Sequence, residues 1–193
     1  MLNKIVLDLE TQKDFGEVGG RNKHHLLRVS MAVIYSYKDD KFYSFEESEV
    51  HKLGELLQVA DQIIGFNTKN FDNKVLQPYL GFPLDGIPHL DILEETEKAL
   101  GHRVRLDSIA QATLGLGKSG SGLRAIQLWR LGKMAELRDY CRRDVEITRK
   151  IYEYGLKNEK LLYKDFFDDK EFPVFFSQPA RRQNAIQQKS LFF

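Results

Sequence analysis

The chain contains 193 residues, of which 42% are hydrophobic and one is a cysteine, and its formal net charge is +1. This length can bury one hydrophobic core; the single cysteine excludes an internal disulfide, and no apolar run approaches the roughly 20 residues of a membrane-spanning helix, so no membrane association is expected. Residues 1–9 pass directly into a strand-like pattern and lack the charged, long apolar and small-residue sections of a secretory signal peptide. We therefore expect a cytoplasmic protein.

Hydrophobic periodicity predicts strands and helices that alternate along the chain. A continuous apolar run that ends in acids favours a buried central strand at 4–10. Further strands are predicted at 26–37, 41–45, 63–66 and 89–93, and helices at 46–60, at 71–80, from 106 with a break at 114–122, and from about 135 to 154. This order indicates an α/β fold in which a mixed β-sheet is flanked by helices.

The composition divides the chain into one domain and a tail. Residues 1–165 contain no linker rich in Pro, Gly or Ser and are predicted to form the domain. Residues 166–193 form a C-terminal extension, in which an aromatic segment is followed by the polar residues 177–189. We expect this polar part to be disordered.

The charges are distributed unevenly along the chain. Residues 1–100 contain 11 Lys and Arg against 17 Asp and Glu, whereas residues 101–150 contain 11 against 5. A basic segment beside an acidic site would suit a polyanion such as a nucleic acid. The alternative is a solvated helix face.

Asp8 and Glu10 lie two residues apart at the end of the predicted central strand, so their side chains leave the same face. Two such carboxylates repel each other unless a proton or a cation lies between them, and hard oxygen ligands are those that Mg²⁺ or Mn²⁺ prefers. A solvated strand end is the alternative interpretation.

Two further segments carry candidate site residues. Tyr140 and Asp144 lie four residues apart on the final predicted helix and therefore share one of its faces. Asp72 opens a helix directly after a strand, where a carboxylate can be directed into a cleft at a sheet edge. For Tyr140 and Asp144 the alternative is a surface pair or a helix cap, and for Asp72 it is a helix cap.

These segments together resemble the motifs of the DnaQ-like, or DEDD, exonucleases of the ribonuclease-H-like superfamily. The motifs are Asp8-x-Glu10, then Asn67-x-x-x-Phe71-Asp72, then Tyr140-x-x-x-Asp144. The likeness covers roughly residues 1–155 and is closest to the proofreading domains of family B DNA polymerases and to related stand-alone bacterial proteins. Asp139 stands where the histidine subtype would have its histidine, so the chain resembles the tyrosine subtype.

The resemblance implies a ribonuclease-H-like fold and a 3′-to-5′ exonuclease that hydrolyses phosphodiester bonds. It implies that Asp8, Glu10, Asp72 and Asp144 hold two Mg²⁺ or Mn²⁺ ions and that Tyr140 orients the attacking water. It also implies that substrate is contacted by Thr11, Asn67, Phe71 and Lys118. For Asn67 and Phe71, loop hydrogen bonding and core packing are equally good interpretations.

The C-terminal tail carries a second resemblance. Gln188-Lys-Ser-Leu-Phe192 is similar to the pentapeptide by which bacterial replication and repair proteins bind the DNA sliding clamp, which implies partner contacts by Gln188, Ser190, Leu191 and Phe192. A tail that folds back onto its own domain is the alternative.

The expected function is thus a clamp-tethered exonuclease acting on single-stranded or frayed DNA 3′ ends. An exoribonuclease that acts on RNA 3′ ends with the same site, and a non-catalytic adaptor that binds nucleic acid or the clamp, are the alternatives.

Overall fold

A five-stranded mixed sheet and six α-helices make up most of the computed structural model, which describes residues 2–117, 122–165 and 168–179. The strands are β1 (Lys4–Thr11), β2 (Val29–Ser36), β3 (Lys41–Phe45), β4 (Gln62–Gly65) and β5 (His89–Asp91). The helices are α1 (Val50–Gln58), α2 (Asp72–Leu76), α3 (Ile92–Leu100), α4 (Leu106–Leu114), α5 (Gly122–Arg130) and α6 (Met134–Asn158). The predicted α/β class, a mixed sheet flanked by helices, is confirmed.

The strand order is β3-β2-β1-β4-β5, which places β1 at the centre of the sheet. β1 pairs with β2 in antiparallel orientation and with β4 in parallel orientation. The parallel pairing with β4 covers only the first residues of β1, up to Val6 opposite Ile64. Beyond that point β1 continues alone on this side, and a crevice opens at the carboxyl ends of the parallel strands.

The two faces of β1 contribute to separate cores because side chains alternate across a strand. Ile5, Leu7 and Leu9 pack in a core with α1 and α2, whereas Val6 packs in a second core with α6. Asp8 and Glu10 follow Val6 on this second face, since their cross-strand partners are Val33 and Met31 of the same core. The sequence alternation therefore directs both carboxylates towards α6.

The long helix α6 confirms the predicted final helix and extends it at both ends. One face of the helix is buried, as expected from apolar residues at helical spacing. This buried face includes Leu137, Cys141, Val145, Ile151 and Tyr152. The helix ends at Asn158, and the capping residue Glu159 adopts a left-handed conformation that turns the chain into the next strand.

A two-stranded hairpin follows α6 and was not predicted. It consists of β6 (Lys160–Lys164) and β7 (Asp169–Pro173) in antiparallel pairing. Phe172, Val174 and Phe176 are buried in the core that α6 forms. The predicted boundary after residue 165 falls inside this hairpin. Because these three alternating apolar side chains are buried against the domain, the segment that carries them packs with it.

Other elements also differ from the sequence predictions: α3 was not predicted, and the strand predicted at 26–37 begins at Val29. The strand predicted at 89–93 ends at Asp91, because the Asp91 carboxylate accepts the Leu93 and Glu94 N–H groups and caps α3. The helix predicted at 71–80 is α-helical only to Leu76. No helix of the described residues is both long and apolar enough to cross a membrane.

Candidate active site

Three carboxylates converge between the end of β1 and the middle of α6. One carboxylate oxygen from each of Asp8, Glu10 and Asp144 can be chosen so that all lie within 4.8 Å of one another. Glu10 is 9% exposed and Asp144 is 3% exposed, whereas Asp8 is half-buried. Carboxylates this close and this shielded from water repel each other strongly unless a cation or a proton compensates their charge.

The contact between α6 and β1 fixes this geometry. The Cys141 thiol donates to the backbone oxygen of Asp8 at 3.5 Å and to its Oδ2 at 3.6 Å. Cys141 is fully buried, and its burial, followed by the charge of Asp8, raises the pKa of the thiol well above its ordinary value. The cysteine is therefore a protonated packing residue that helps to position Asp8 and is not a nucleophile.

Asp72 lies in the same cleft but outside the three-carboxylate group. It is 3% exposed, and its Oδ1 accepts the N–H of Leu9 at 3.1 Å, just beyond the point where β4 stops pairing with β1. Burial, and then the charge of Asp8, raises the pKa of Asp72 well above its usual range. The side chain thus joins α2 to β1 and does not cap its own helix, whose N-cap residue is Phe71.

Asp91 organises the loop that carries Asn67, and sequence analysis did not select it. Its carboxylate accepts the N–H of Asn67 at 2.8 Å and that of Lys69 at 3.1 Å, in addition to capping α3. Asn67 has a positive φ of 65°, a conformation that asparagine tolerates better than most residues. The signal that could have revealed Asp91 is its position before a helix with an acid three residues later, as in a capping box.

Tyr140 lies one turn before Asp144 on α6 and is buried. Its hydroxyl oxygen has no hydrogen-bond partner among the described residues. Burial raises the pKa of Tyr140 above its ordinary value, and the charges of Glu10 and Asp144 raise it further. The phenol therefore stays protonated and can act only as a hydrogen-bond donor or acceptor near these carboxylates.

A cavity of about 400 Å³ opens over the carboxylates. Its lining contains all four predicted metal ligands and the predicted substrate contacts Thr11, Asn67 and Phe71. The remaining wall is mainly apolar, with Phe15, Leu27, Phe66, Leu123 and Ile126. Tyr140 does not belong to this lining and instead borders another cavity, which shares no lining residue with the first.

The predicted substrate contacts differ in how they are held. The Thr11 hydroxyl donates to the backbone oxygen of Lys13 at 2.8 Å, whereas Phe71 packs edge-on against the rings of Phe15 and His24. Leu123 of α5 is 60% exposed although it lines the cavity, and its exposure could not be inferred from sequence. The cavity thus offers exposed apolar and aromatic surface directly beside the carboxylates.

Several predicted contacts lie outside the described residues. These are Lys118 and the tail residues Gln188, Ser190, Leu191 and Phe192. Their predicted roles in substrate and partner binding therefore stay predictions.

The donor set is compatible with a divalent metal. Asp8, Glu10 and Asp144 offer only carboxylate oxygens, which are the hard ligands that bind Mg²⁺ and Mn²⁺. A cation among them would compensate the repulsion that their mutual distance creates. Asp72 lines the same cavity and would add a fourth carboxylate on the side of α2.

Comparison with known proteins agrees with the fold and with this site. A family model described as RNase_H superfamily (RNase_H_2) matches residues 5–156, which is most of the chain and includes every carboxylate of the cleft. A search of curated proteins found no similar sequence.

Proposed function

The chain belongs to the RNase H superfamily, and from this premise we propose that it is a metal-dependent 3′-to-5′ exonuclease that hydrolyses phosphodiester bonds at DNA 3′ ends. The observation that carries the proposal is the group formed by Asp8, Glu10 and Asp144, with carboxylate oxygens within 4.8 Å of one another, at the floor of an open cleft. Its spacing suits divalent cations, and its position in a cleft suits a chain end.

The proposed reaction is the hydrolysis of the last phosphodiester bond. A water oxygen attacks the phosphorus, the bond from phosphorus to the 3′ oxygen breaks, and a nucleoside 5′-monophosphate leaves the shortened strand. Two Mg²⁺ or Mn²⁺ ions, when bound, would activate the water and stabilise the negative charge that develops on the leaving oxygen. Asp8, Glu10, Asp72 and Asp144 would hold these ions.

Tyr140 is proposed to orient the attacking water. It keeps its proton, since burial and the carboxylates of Glu10 and Asp144 raise its pKa. A protonated phenol can donate to the water oxygen while the lone pair used for attack remains directed at the phosphorus. Its role is therefore one of orientation, without any proton transfer by the phenol.

The apolar wall of the cavity is proposed to receive the terminal nucleoside. Phe71 and Phe15 present ring surface, and Leu123 adds an exposed aliphatic side chain from the opposite helix. Such surfaces accept any base, because every base has an apolar π face. Thr11 and Asn67 supply polar groups for the sugar.

The tail supports DNA as the natural polymer, because Gln188-Lys-Ser-Leu-Phe192 is similar to bacterial clamp-binding peptides. We propose that this segment tethers the enzyme to the sliding clamp and so to replication or repair. A peptide of residues 177–193 should bind a bacterial sliding clamp, and Phe192→Ala should abolish binding. Equal or absent binding of both peptides would remove this reason for preferring DNA.

The activity is tested with single-stranded oligonucleotides labelled at either end, as DNA and as RNA, in Mg²⁺ or Mn²⁺. A 5′ label should appear in a ladder of progressively shorter products, and a 3′ label should be released at once as a mononucleotide. The ratio of the DNA rate to the RNA rate identifies the polymer, with preference for RNA favouring the exoribonuclease.

Asp8→Asn and Asp144→Asn serve as the matched inactive variants, and Asp61→Asn, on the loop before β4, is the control. Asp61 is also a buried aspartate but is not among the residues that line the cleft. Loss of cleavage in the first two variants alone supports the proposal. Absence of metal-dependent cleavage by the wild-type protein would overturn it and favour a binding adaptor.

A further inference from the structure

A second cavity, of about 460 Å³, adjoins the first and differs from it in chemistry. Both cavities are lined by Asp8, Asp144 and Asn67, which therefore lie on their common wall. The second cavity continues along the segment between α3 and α4, where Arg103 and Arg105 border it. We refer to it as the arginine cavity.

We propose that the arginine cavity binds the internucleotide phosphate immediately upstream of the bond that is cleaved. This assignment rests on the proposed function, since it takes the scissile phosphate to lie at Asp8 and Asp144. The terminal nucleoside then occupies the apolar cavity on one side of these carboxylates. The strand leaves on the other side, where Arg103 and Arg105 meet its next phosphate.

Arg103 is held in place for this contact. Its guanidinium donates to the Asn67 side-chain oxygen at 2.9 Å and lies 3.9 Å from a Glu97 carboxylate oxygen. Even so, 54% of the side chain is exposed, so donors remain accessible. A guanidinium has five N–H donors, which suits simultaneous contact with Asn67 and with two phosphate oxygens.

Arg105 gives the second positive charge. It is exposed and immediately precedes α4, and the intervening Val104 is buried in the α6 core. The buried valine fixes the backbone so that two arginines separated by one residue remain at the mouth of the same cavity. The cavity also contains the Asp107 carboxylate, and two guanidinium groups offset its repulsion of a phosphate.

The substrates for the test differ in whether they possess the upstream phosphate. Thymidine 5′-(p-nitrophenyl phosphate) has the terminal nucleoside and one scissile phosphodiester but no upstream nucleotide. A thymidine oligonucleotide has the same terminus and the further phosphates. For each protein the quantity compared is kcat/KM for the oligonucleotide divided by kcat/KM for the small ester, in the same Mg²⁺ or Mn²⁺ buffer.

Arg105→Gln is the principal variant because Arg105 is exposed, and Arg103→Gln is the second. Each should lower the ratio about tenfold. Each should also make the slope of log kcat/KM for the oligonucleotide against log salt concentration shallower by about 0.7, the value for one lost phosphate contact with a single strand. Lys157→Gln removes the same charge from an exposed site about 20 Å along α6 from Asp144 and should change neither quantity.

The outcomes separate this inference from the proposed function. If the wild-type protein cleaves both substrates and neither arginine variant changes the ratio or the salt dependence, the exonuclease stands and the arginine cavity has another role. A parallel loss on both substrates, with an unchanged ratio, would assign the arginines to the terminal nucleotide and would also refute the inference. If the wild-type protein cleaves neither substrate, the proposed function fails and this assignment fails with it.

Discussion

Replacement of Asp144 by asparagine should stabilise the metal-free protein and abolish its stabilisation by metal. The oxygens of Asp8, Glu10 and Asp144 lie within 4.8 Å of one another. At that distance and an effective dielectric constant of about 20, two unit charges repel by about 3 kcal/mol. Asp144→Asn removes two of these repulsions while it keeps the shape of the side chain.

The net effect is smaller than the sum of the two repulsions, because Asp8 is half-buried and water screens part of its charge. We expect a gain of about 2 kcal/mol in the free energy of unfolding, which corresponds to about 4 to 8 °C in Tm for a chain of this size. The assay is thermal unfolding in EDTA and in a series of Mg²⁺ concentrations.

In Mg²⁺ the order should reverse. Metal that binds only the folded wild-type protein stabilises it by about 2.7 kcal/mol at a concentration of 100 times Kd, whereas Asp144→Asn should gain much less. Asp61→Asn, which removes a buried carboxylate outside the cleft, is the control for the metal response and should keep the wild-type rise of Tm with Mg²⁺. A variant that is less stable than wild type in EDTA, together with a wild-type Tm that does not respond to Mg²⁺ or Mn²⁺, would refute the reasoning about charge.

Three further substitutions test other parts of the site. Gly65→Ala should cost about 3 kcal/mol of stability and reduce activity, since the new Cβ would lie 1.6 Å from the buried Thr68 Oγ1 in the loop that leads to the cleft. Denaturant unfolding measures the loss, with Gly81→Ala as the control because a Cβ there meets nothing within 4 Å. Asp91→Asn should cost about 1 to 3 kcal/mol and accelerate amide exchange at Asn67 and Lys69, because an amide group replaces one of two oxygens that accept backbone N–H groups; unchanged exchange there would contradict its assigned role. Tyr140→Phe should lower kcat by about 100-fold without lowering Tm, because the hydroxyl has no hydrogen-bond partner among the described residues; a fall in Tm that accounts for the lost activity would argue against a role in orienting water.

The elements with the strongest periodicity were predictable from sequence. The continuous apolar run before Asp8 identified β1, and the 3.6-residue pattern identified α6. These two elements carry three of the four candidate metal ligands, so the core of the site could be anticipated as well. Side-chain alternation alone places Asp8 and Glu10 on one face.

The features that sequence analysis missed depend on tertiary contacts. The β6–β7 hairpin is short and largely polar, and it becomes identifiable only because Phe172 and Phe176 reach the core under α6. Asp91 receives its N–H donors from a loop more than 20 positions earlier in the chain. Asp72 was predicted in the cleft, but its bond to the Leu9 N–H depends on where the pairing of β1 with β4 ends.

The chemical difference between the apolar cavity and the arginine cavity was only partly predictable from the sequence. Arg103 and Arg105 belong to the segment whose excess of positive charge suggested a polyanion. Their position beside the carboxylates results from the packing of Val104, which no local pattern specifies. Likewise, exposure of Leu123 at the cleft is a property of the folded chain.

The most direct test of the central claim is a crystal structure of the wild-type protein with Mn²⁺ and a short DNA strand whose last linkage is a slowly cleaved phosphorothioate. Anomalous scattering should place manganese among the carboxylates of Asp8, Glu10 and Asp144, in two positions about 3.5 to 4 Å apart. The 3′-terminal base should lie against Phe71 and Leu123. A structure without manganese at these carboxylates, or with the 5′ end of the strand in the cleft, would contradict the account.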